Sequence, residues 1–472
     1  MLHSFLYREI AKNIERKIET GVFKAGEKLP SIRTICREQG VSMSTALEAY
    51  YSLEGKGLVA SYPKSGYYVC QKRRDFAKPN ISTPGHLQNA DATHNLVSKV
   101  FSEFNFKKSI LFSVGVPAEE YLPLARLNKE LHKAILTLPG NGTQYESVQG
   151  NPKLRRQLAL QSMHWNGNLT EEDLVITSGC MDAIGLCLMA VLKPGDSIAI
   201  ESPVYFGLLQ LAKGLGLNVI ELSTDAQTGI DVEALKRLAK SGTIKACCLI
   251  SNFNNPLGSS IPSESKKEIV EWMAKYNVVI IEDDLYGDLY FESRHPLCCK
   301  TFDVSGNVLW CGSVSKTLAP GYRVGWVAPG KYKEQILQQK LINSVSAVTL
   351  QQEAVATFFE SGRYENHLRK LRNTLYTNSL KMIDSIVRHF PEDTRLSTPK
   401  GGFMIWVELN KTCNTSNLFD TLLDRHISIA PGRMFTLQNQ YQNCMRLSFG
   451  LVWNKKIEDA IAVIGKELKR GR

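Results

Sequence analysis

Five short apolar runs, Ser197–Glu201, Asn218–Leu222, Ala246–Ser251, Val278–Glu282 and Val308–Trp310, alternate with stretches of helical period through the middle of this 472-residue chain. Several are apolar on both faces, and a strand buried on both faces has to be covered by helices above and below. The pattern therefore predicts an α/β fold with an open, mostly parallel sheet. In such a sheet a ligand sits beyond the carboxyl ends of the strands. At this length two or three domains, each with its own core, can form. A hydrophobic fraction of 43% against 22% charged residues excludes a disordered or collagen-like chain.

Other classes are excluded by what the residues do not supply. No uncharged apolar stretch nears the roughly twenty residues of a membrane helix. The N-terminal MLHSFLYREIAKN runs into polar helical residues without the apolar core of a signal peptide. The 11 cysteines are odd in number and lack any CxxC pair, and adjacent pairs occur at Cys247-Cys248 and Cys298-Cys299. That argues against a zinc site or a disulfide framework and for a reduced, cytoplasmic setting, with no metal expected. The formal charge of +11 is uneven, since residues 1–74 hold 13 Lys/Arg against 7 Asp/Glu. A basic N-terminal module suggests a polyanionic partner.

Within residues 1–70 the spacing predicts a helix over Tyr7–Thr20, a second over Ile32–Gln39 capped by Ser31 and stopped at Gly40, and a third over Met43–Lys56 capped by Ser42. Two β-prone runs, Leu58–Ser61 and Gly66–Val69, flank a turn and read as a hairpin. Helix, turn, capped helix and hairpin is the plan of a winged helix-turn-helix. Candidate DNA contacts are Ser31 and Arg33, then Ser42, Met43, Ser44 and Thr45 at the recognition helix start, and Lys64 and Gly66 at the wing. A three-helix protein-interaction module with solvated charges fits the same pattern. The run LPSIRTICREQGVSMSTALEAYYSLEGKGLV, followed by SGYYV, resembles the GntR class of bacterial repressors, which implies operator DNA as partner. Members often carry Arg directly after the capping hydroxyl residue, where this chain has Met43, so their base preference does not transfer.

From 71 to 92 the composition shifts to KRRD, Pro79, Pro84 and Gly85, which reads as a linker. Residues 93–472 follow, with a large part over about 111–345 and a smaller C-terminal α+β part over about 346–472. The chemistry-bearing residues fall at strand ends. Thr177–Ile184 opens a helix at Ser178, Gly179 and Cys180, whose free N–H groups suit a phosphate. Tyr205 follows a strand and can stack on a planar ring. Asn255 stands in an Asn-Pro turn as an amide donor. The run VVIIEDDLYGDLY carries a carboxylate, Asp283, out of a buried strand, where it needs a cation or strong donor; Tyr286 follows. In WCGSVSKTLAPGYRVGW, Lys316 lies among the short side chains of Ser313 and Ser315, with Arg323 seven residues on. A lysine desolvated near other cations becomes nucleophilic at neutral pH. Arg446, in the strand-like CMRLS, has the fork that clamps a carboxylate. Each feature has a plainer reading as a cap, a turn or a solvated charge. Together they specify a phosphorylated pyridine aldehyde.

This order of features resembles the fold-type I pyridoxal-phosphate aminotransferases over about 111–472. GVPAEEYLPL, which contains Gly115, and YESVQGNPKLR, which contains Tyr145, match that family's substrate-access and subunit-crossing segments. The resemblance implies Lys316 as the Schiff-base lysine, Asp283 at the ring nitrogen, and Asn255 and Tyr286 at the ring oxygen. It implies phosphate ligands at Ser178, Gly179, Cys180, Ser313, Ser315 and Arg323, a partner subunit's Tyr145 in a homodimer, and Gly115 and Arg446 toward an amino-bearing effector. With the GntR-type head, the whole resembles the MocR group of transcriptional regulators, its YdcR-like members in particular. The expected function is a pyridoxal-phosphate-dependent regulator sensing an amine, an amino acid or the cofactor itself through Lys316. A working aminotransferase with an accessory DNA-binding head is the alternative.

Overall fold

The computed structural model describes residues 3–24, 26–62, 66–69, 76–82, 96–100 and 109–470. Lys64 and the wing turn at 63–65 lie outside the described residues, as do linker positions 71–75 and 83–92. The chain divides into two compact units, Met1–Phe76 with Tyr376–Arg388, and Ala77–Leu375 with His389–Arg472. Among the described residues no helix is long and apolar enough to cross a membrane.

In the first unit, α1 (His3–Glu19), α2 (Ile32–Gln39) and α3 (Met43–Gly55) precede an antiparallel hairpin of β1 (Val59–Tyr62) and β2 (Gly66–Val69). The helices begin where hydroxyl caps stand. Ser31 Oγ accepts from Thr34 N at 3.1 Å and Ser42 Oγ from Thr45 N at 3.2 Å. Gly40 ends α2 at φ 62°, a left-handed conformation that glycine adopts without strain. Ile10 and Ile14 from α1, Ile35 from α2, and Ala46, Tyr50 and Leu53 from α3 bury one another against Val59 and Val69. Tyr50 stacks on Tyr67 at 4.4 Å, which fastens the hairpin to α3.

The second unit is built on an eight-stranded sheet. Its strands are β4 (Val175–Thr177), β5 (Ser197–Ser202), β6 (Asn218–Asp225), β7 (Gly229–Ile230), β8 (Ala246–Leu249), β9 (Val279–Asp283), β10 (Val308–Ser313) and β11 (Gly325–Ala328). Their order is β4-β11-β10-β9-β8-β5-β6-β7. The neighbours β10, β9, β8, β5 and β6 run parallel, while β11 and β7 run against their partners. All five predicted apolar runs are thus parallel strands at the sheet's centre. Register sets the chemistry, because Cys311 pairs with Asp283, so β10 runs on to Ser313 past the end of β9.

A short strand, β3 (Ile110–Leu111), pairs in parallel with β14 (Ile427–Ser428). Strands β12 (Arg395–Leu396), β13 (Met404–Glu408), β15 (Ala430–Pro431) and β16 (Cys444–Ser448) form an antiparallel sheet in the C-terminal part. Residues 77–82, within the stretch read as linker, are held against this unit. Leu396 N donates to Ala77 O at 3.2 Å, and Asn80 gives Glu408 both its backbone N–H and its Nδ2, each at 2.6 Å. Glu408 is 8% exposed, so its carboxylate needs those donors.

Candidate functional site

The ends of β8, β9 and β10, with the turns after β4 and β5, converge on a cavity of about 330 Å³. Its wall includes Gly115, Cys180, Tyr205, Asn255, Asp283, Tyr286, Ser315, Lys316, Arg323 and Arg446. The parallel strands deliver their ends to this side of the sheet, and Gly115 and Arg446, brought in from outside that sheet, complete the wall.

Lys316 sits on a single helical turn directly after β10, started by Ser313, whose Oγ accepts from Ser315 N at 3.1 Å. Lys316 Nζ reaches into the cavity and donates to Gly115 O at 2.6 Å. Burial, together with the Arg446 and Arg323 guanidinium groups, pulls its ammonium down to about 8. Near neutral pH a useful share of the amine is therefore free of its proton.

Asp283 ends β9 opposite. Burial pushes its carboxyl up to about 6, against the pull of its hydrogen bonds. Both of those bonds, from Cys180 Sγ at 3.3 Å and Leu285 N at 3.1 Å, fall on Oδ1. Among the described residues no hydrogen bond falls on the other carboxylate oxygen. Asn255 and Tyr286 stand side by side, Nδ2 to hydroxyl, at 3.4 Å. Arg446, on β16, gives one guanidinium nitrogen to Asn255 Oδ1 at 3.0 Å and the other to Ser113 O, while its buried Nε has no partner among the described residues. Burial lowers its pKa to about 10.

The other end of the cavity combines a helix start with side-chain donors. Gly179, at φ 99°, starts the helix Cys180–Val191, and a Cβ built there would lie 2.2 Å from Arg323 Nη2. Arg323 itself is held in a left-handed turn at φ 53° and donates to Ser178 O at 3.0 Å and Ser315 Oγ at 3.4 Å. One cation, a helix N-terminus and a hydroxyl thus surround one point, and no side chain but glycine fits between them.

Ser313 is turned away from the cavity. Its hydroxyl donates to Val324 O at 2.8 Å and caps the Lys316 turn, so it positions the loop. Ser178 and Gly179 contribute backbone beneath the wall. Tyr145 does not reach this cavity and is 87% exposed. Sequence reasoning missed two groups, the Ser113 carbonyl that steadies Arg446 and the Cys180 thiol on Asp283. Neither leaves a local signature, because both partners are brought in by the sheet. In the first unit, Ser31, Arg33, Ser42, Met43, Ser44 and Gly66 are exposed, whereas Thr45 is buried under the α3 cap. Among the described residues no cluster of three or more His, Cys, Asp or Glu suits a metal ion.

The donor set fits a phosphorylated pyridine aldehyde. A buried carboxylate stands at one end, a glycine-lined cation site closes the other, and an amine whose pKa is lowered to about 8 lies between them. Known proteins agree. The family profile for aminotransferase class I and II matches residues 107–464, and that for bacterial regulatory proteins of the gntR family matches residues 6–69. The HTH-type transcriptional regulator YjiR of Escherichia coli is 35% identical over 98% of this chain and 99% of its own. YdcR, an HTH-type regulator of the same organism, is 31% identical over 98% of each chain. The kynurenine aminotransferase of Pyrococcus horikoshii, solved in complex with PMP, superposes with a TM-score of 0.73 at 25% identity, over 81% of this chain and 95% of that one.

Proposed function

Because this chain belongs to the aminotransferase class I and II family and carries a gntR-family module ahead of that domain, the layout of the MocR group, we propose that it is a pyridoxal-phosphate-dependent transcriptional regulator. Its effector is an amine, an amino acid or the cofactor itself. What carries the reading is the convergence of Lys316, Asp283 and the Gly179–Arg323 cradle on one cavity, in a chain whose other unit is a capped helix-turn-helix. When bound, pyridoxal phosphate supplies an aldehyde carbon reactive toward amines and a conjugated ring that absorbs visible light.

The protein's own groups divide the remaining work. Arg323, the N–H groups at Cys180 and the Ser315 hydroxyl hold the phosphate. Asp283 keeps a proton on the ring nitrogen, and Asn255 and Tyr286 donate to the ring oxygen. Tyr205 stacks, and Arg446 with Gly115 receives an effector carboxylate. Lys316 would hold the cofactor through its amine, and an effector amine would compete for the same aldehyde carbon. Only an effector that binds two arrangements of the protein unequally shifts how the heads are presented to operator DNA. Tyr145 is assigned to the neighbouring subunit's phosphate. Support for a homodimer comes from its 87% exposure and from exposed apolar residues including Leu136 and Ile342, at 69% and 70%. We place the protein in the cytoplasm.

The test is spectroscopic. Lys316→Ala in the full-length protein abolishes the visible band of the bound cofactor, and persistence of the band overturns the assignment. Titrating the wild type with amines and amino acids, alongside a gel shift on duplex DNA, separates sensor from catalyst. Sustained keto-acid production without specific DNA binding favours the transaminase, for which Lys316 and Arg446 are both in place.

A further inference from the structure

The outward face of α3 carries an unusual set of side chains for an element that reads DNA. Its sequence, MSTALEAYYSLEG, contains no lysine, arginine, asparagine or glutamine. Of its two glutamates, Glu54 is turned inward and accepts from Ser61 N at 3.1 Å, which leaves Glu48 as the only outward charge. Met43, the first residue after the Ser42 cap, is 60% exposed, and Tyr51 is 51% exposed two turns further on. The neighbouring hydroxyls are already engaged: Ser42 Oγ lies 2.8 Å from both Ser44 Oγ and Thr45 Oγ1. Positive charge for phosphates therefore comes from outside α3, from exposed Arg33 and Arg37 on α2 and Lys28 before it.

Each base edge in the major groove calls for its own side-chain type. Guanine is read by Arg or Lys and adenine by Asn or Gln, while an apolar group reads the thymine C5-methyl. With the first two sets absent from α3, the side chain at the helix start, where base edges are met, is an apolar one. Methionine is long, unbranched and polarizable, and it adapts its shape to a small apolar target. On the reading of this protein as a DNA-binding regulator, we propose that Met43 recognises a thymine methyl group in the major groove and so fixes a thymine in each operator half-site.

The experiment uses full-length, cofactor-loaded protein to enrich duplexes from a random DNA pool. Each thymine of the enriched site is then replaced in turn by deoxyuridine, which lacks only the methyl group. The wild type loses about fourfold in affinity at one thymine position per half-site, the effect of withdrawing one buried methyl. Met43→Ala, checked for folding by its unchanged visible band and circular dichroism, binds more weakly and is indifferent to that replacement. Met43→Arg shifts the enriched base at that position toward guanine. Wild-type binding that ignores every deoxyuridine replacement overturns the proposal, as does a Met43→Ala protein that keeps the sensitivity. Failure to enrich or bind any duplex, even at low salt, removes the regulator reading along with it, an outcome distinct from binding without methyl sensitivity.

Discussion

Replacing Asp283 by Asn makes the cofactor-free protein more stable and the cofactor harder to bind, and the two effects have one origin. Burial raises the Asp283 carboxyl from an ordinary 3.8 to about 6. About two pKa units correspond to about 3 kcal/mol at most by which the fold disfavours the ionised form. Between those two values the folded protein binds the proton more tightly than the unfolded chain does. Stability therefore falls as pH rises through roughly 4 to 6, and the deficit stays in full above 6. Asparagine keeps the Oδ1 that accepts from Cys180 and Leu285 but cannot ionise. At pH 7.5 the cofactor-free variant should unfold at a higher temperature than the wild type, and the two should converge below pH 4. With cofactor the order reverses. The carboxylate then faces a protonated ring nitrogen, and losing one partner of a buried charge pair costs about 2 to 4 kcal/mol, about 30- to 700-fold in Kd. The assay is thermal unfolding from pH 4 to 8 with and without pyridoxal phosphate, because the cofactor-induced rise in midpoint reads Kd directly. A variant less stable than the wild type in the cofactor-free state at pH 7.5 refutes the reasoning. It would mean that Cys180 and Leu285 alone satisfy the charge.

Two further substitutions test the backbone features. Gly179→Ala sets a methyl group 2.2 Å from Arg323 Nη2 at a φ of 99°, so it displaces the guanidinium and strains the turn by about 1 to 3 kcal/mol; equilibrium dialysis should show weakened cofactor binding, and unchanged affinity would mean that the phosphate lies elsewhere. Ser42→Ala removes the α3 cap, whose Oγ accepts from Thr45 N at 3.2 Å, and should cost the first unit about 1 kcal/mol in denaturant unfolding while loosening DNA binding and leaving the visible band intact. Loss of the band in that variant would contradict the assignment of Ser42 to the head alone.

How far the sequence could be read depended on how local each signal was. The caps Ser31 and Ser42, the Gly40 stop and the doubly apolar strands declare themselves within a few residues, since each answers a backbone requirement that its own neighbours create. Boundaries moved by up to four residues, as in α1, which runs His3–Glu19 where apolar spacing alone suggested Tyr7–Thr20. That Lys316, Asp283 and Asn255 meet at one cavity was legible because each follows an apolar run, and a parallel sheet delivers all such ends to one side. Partnerships across the sheet were not legible. Cys180 read as a donor of its N–H, but its thiol meets Asp283 only because β4 and β9 end on the same side of the sheet. Ser313 read as a phosphate ligand from its nearness to Lys316. That nearness instead made it the cap of the turn, since a hydroxyl two residues before a free N–H is taken up by the backbone first. The linker misleads for a related reason. Its prolines and polar residues signal an absence of regular structure, yet Asn80 is fixed by Glu408, a buried carboxylate 328 positions away. A buried carboxylate selects its donors from wherever the chain passes, so such contacts follow from the fold rather than from the segment that supplies them.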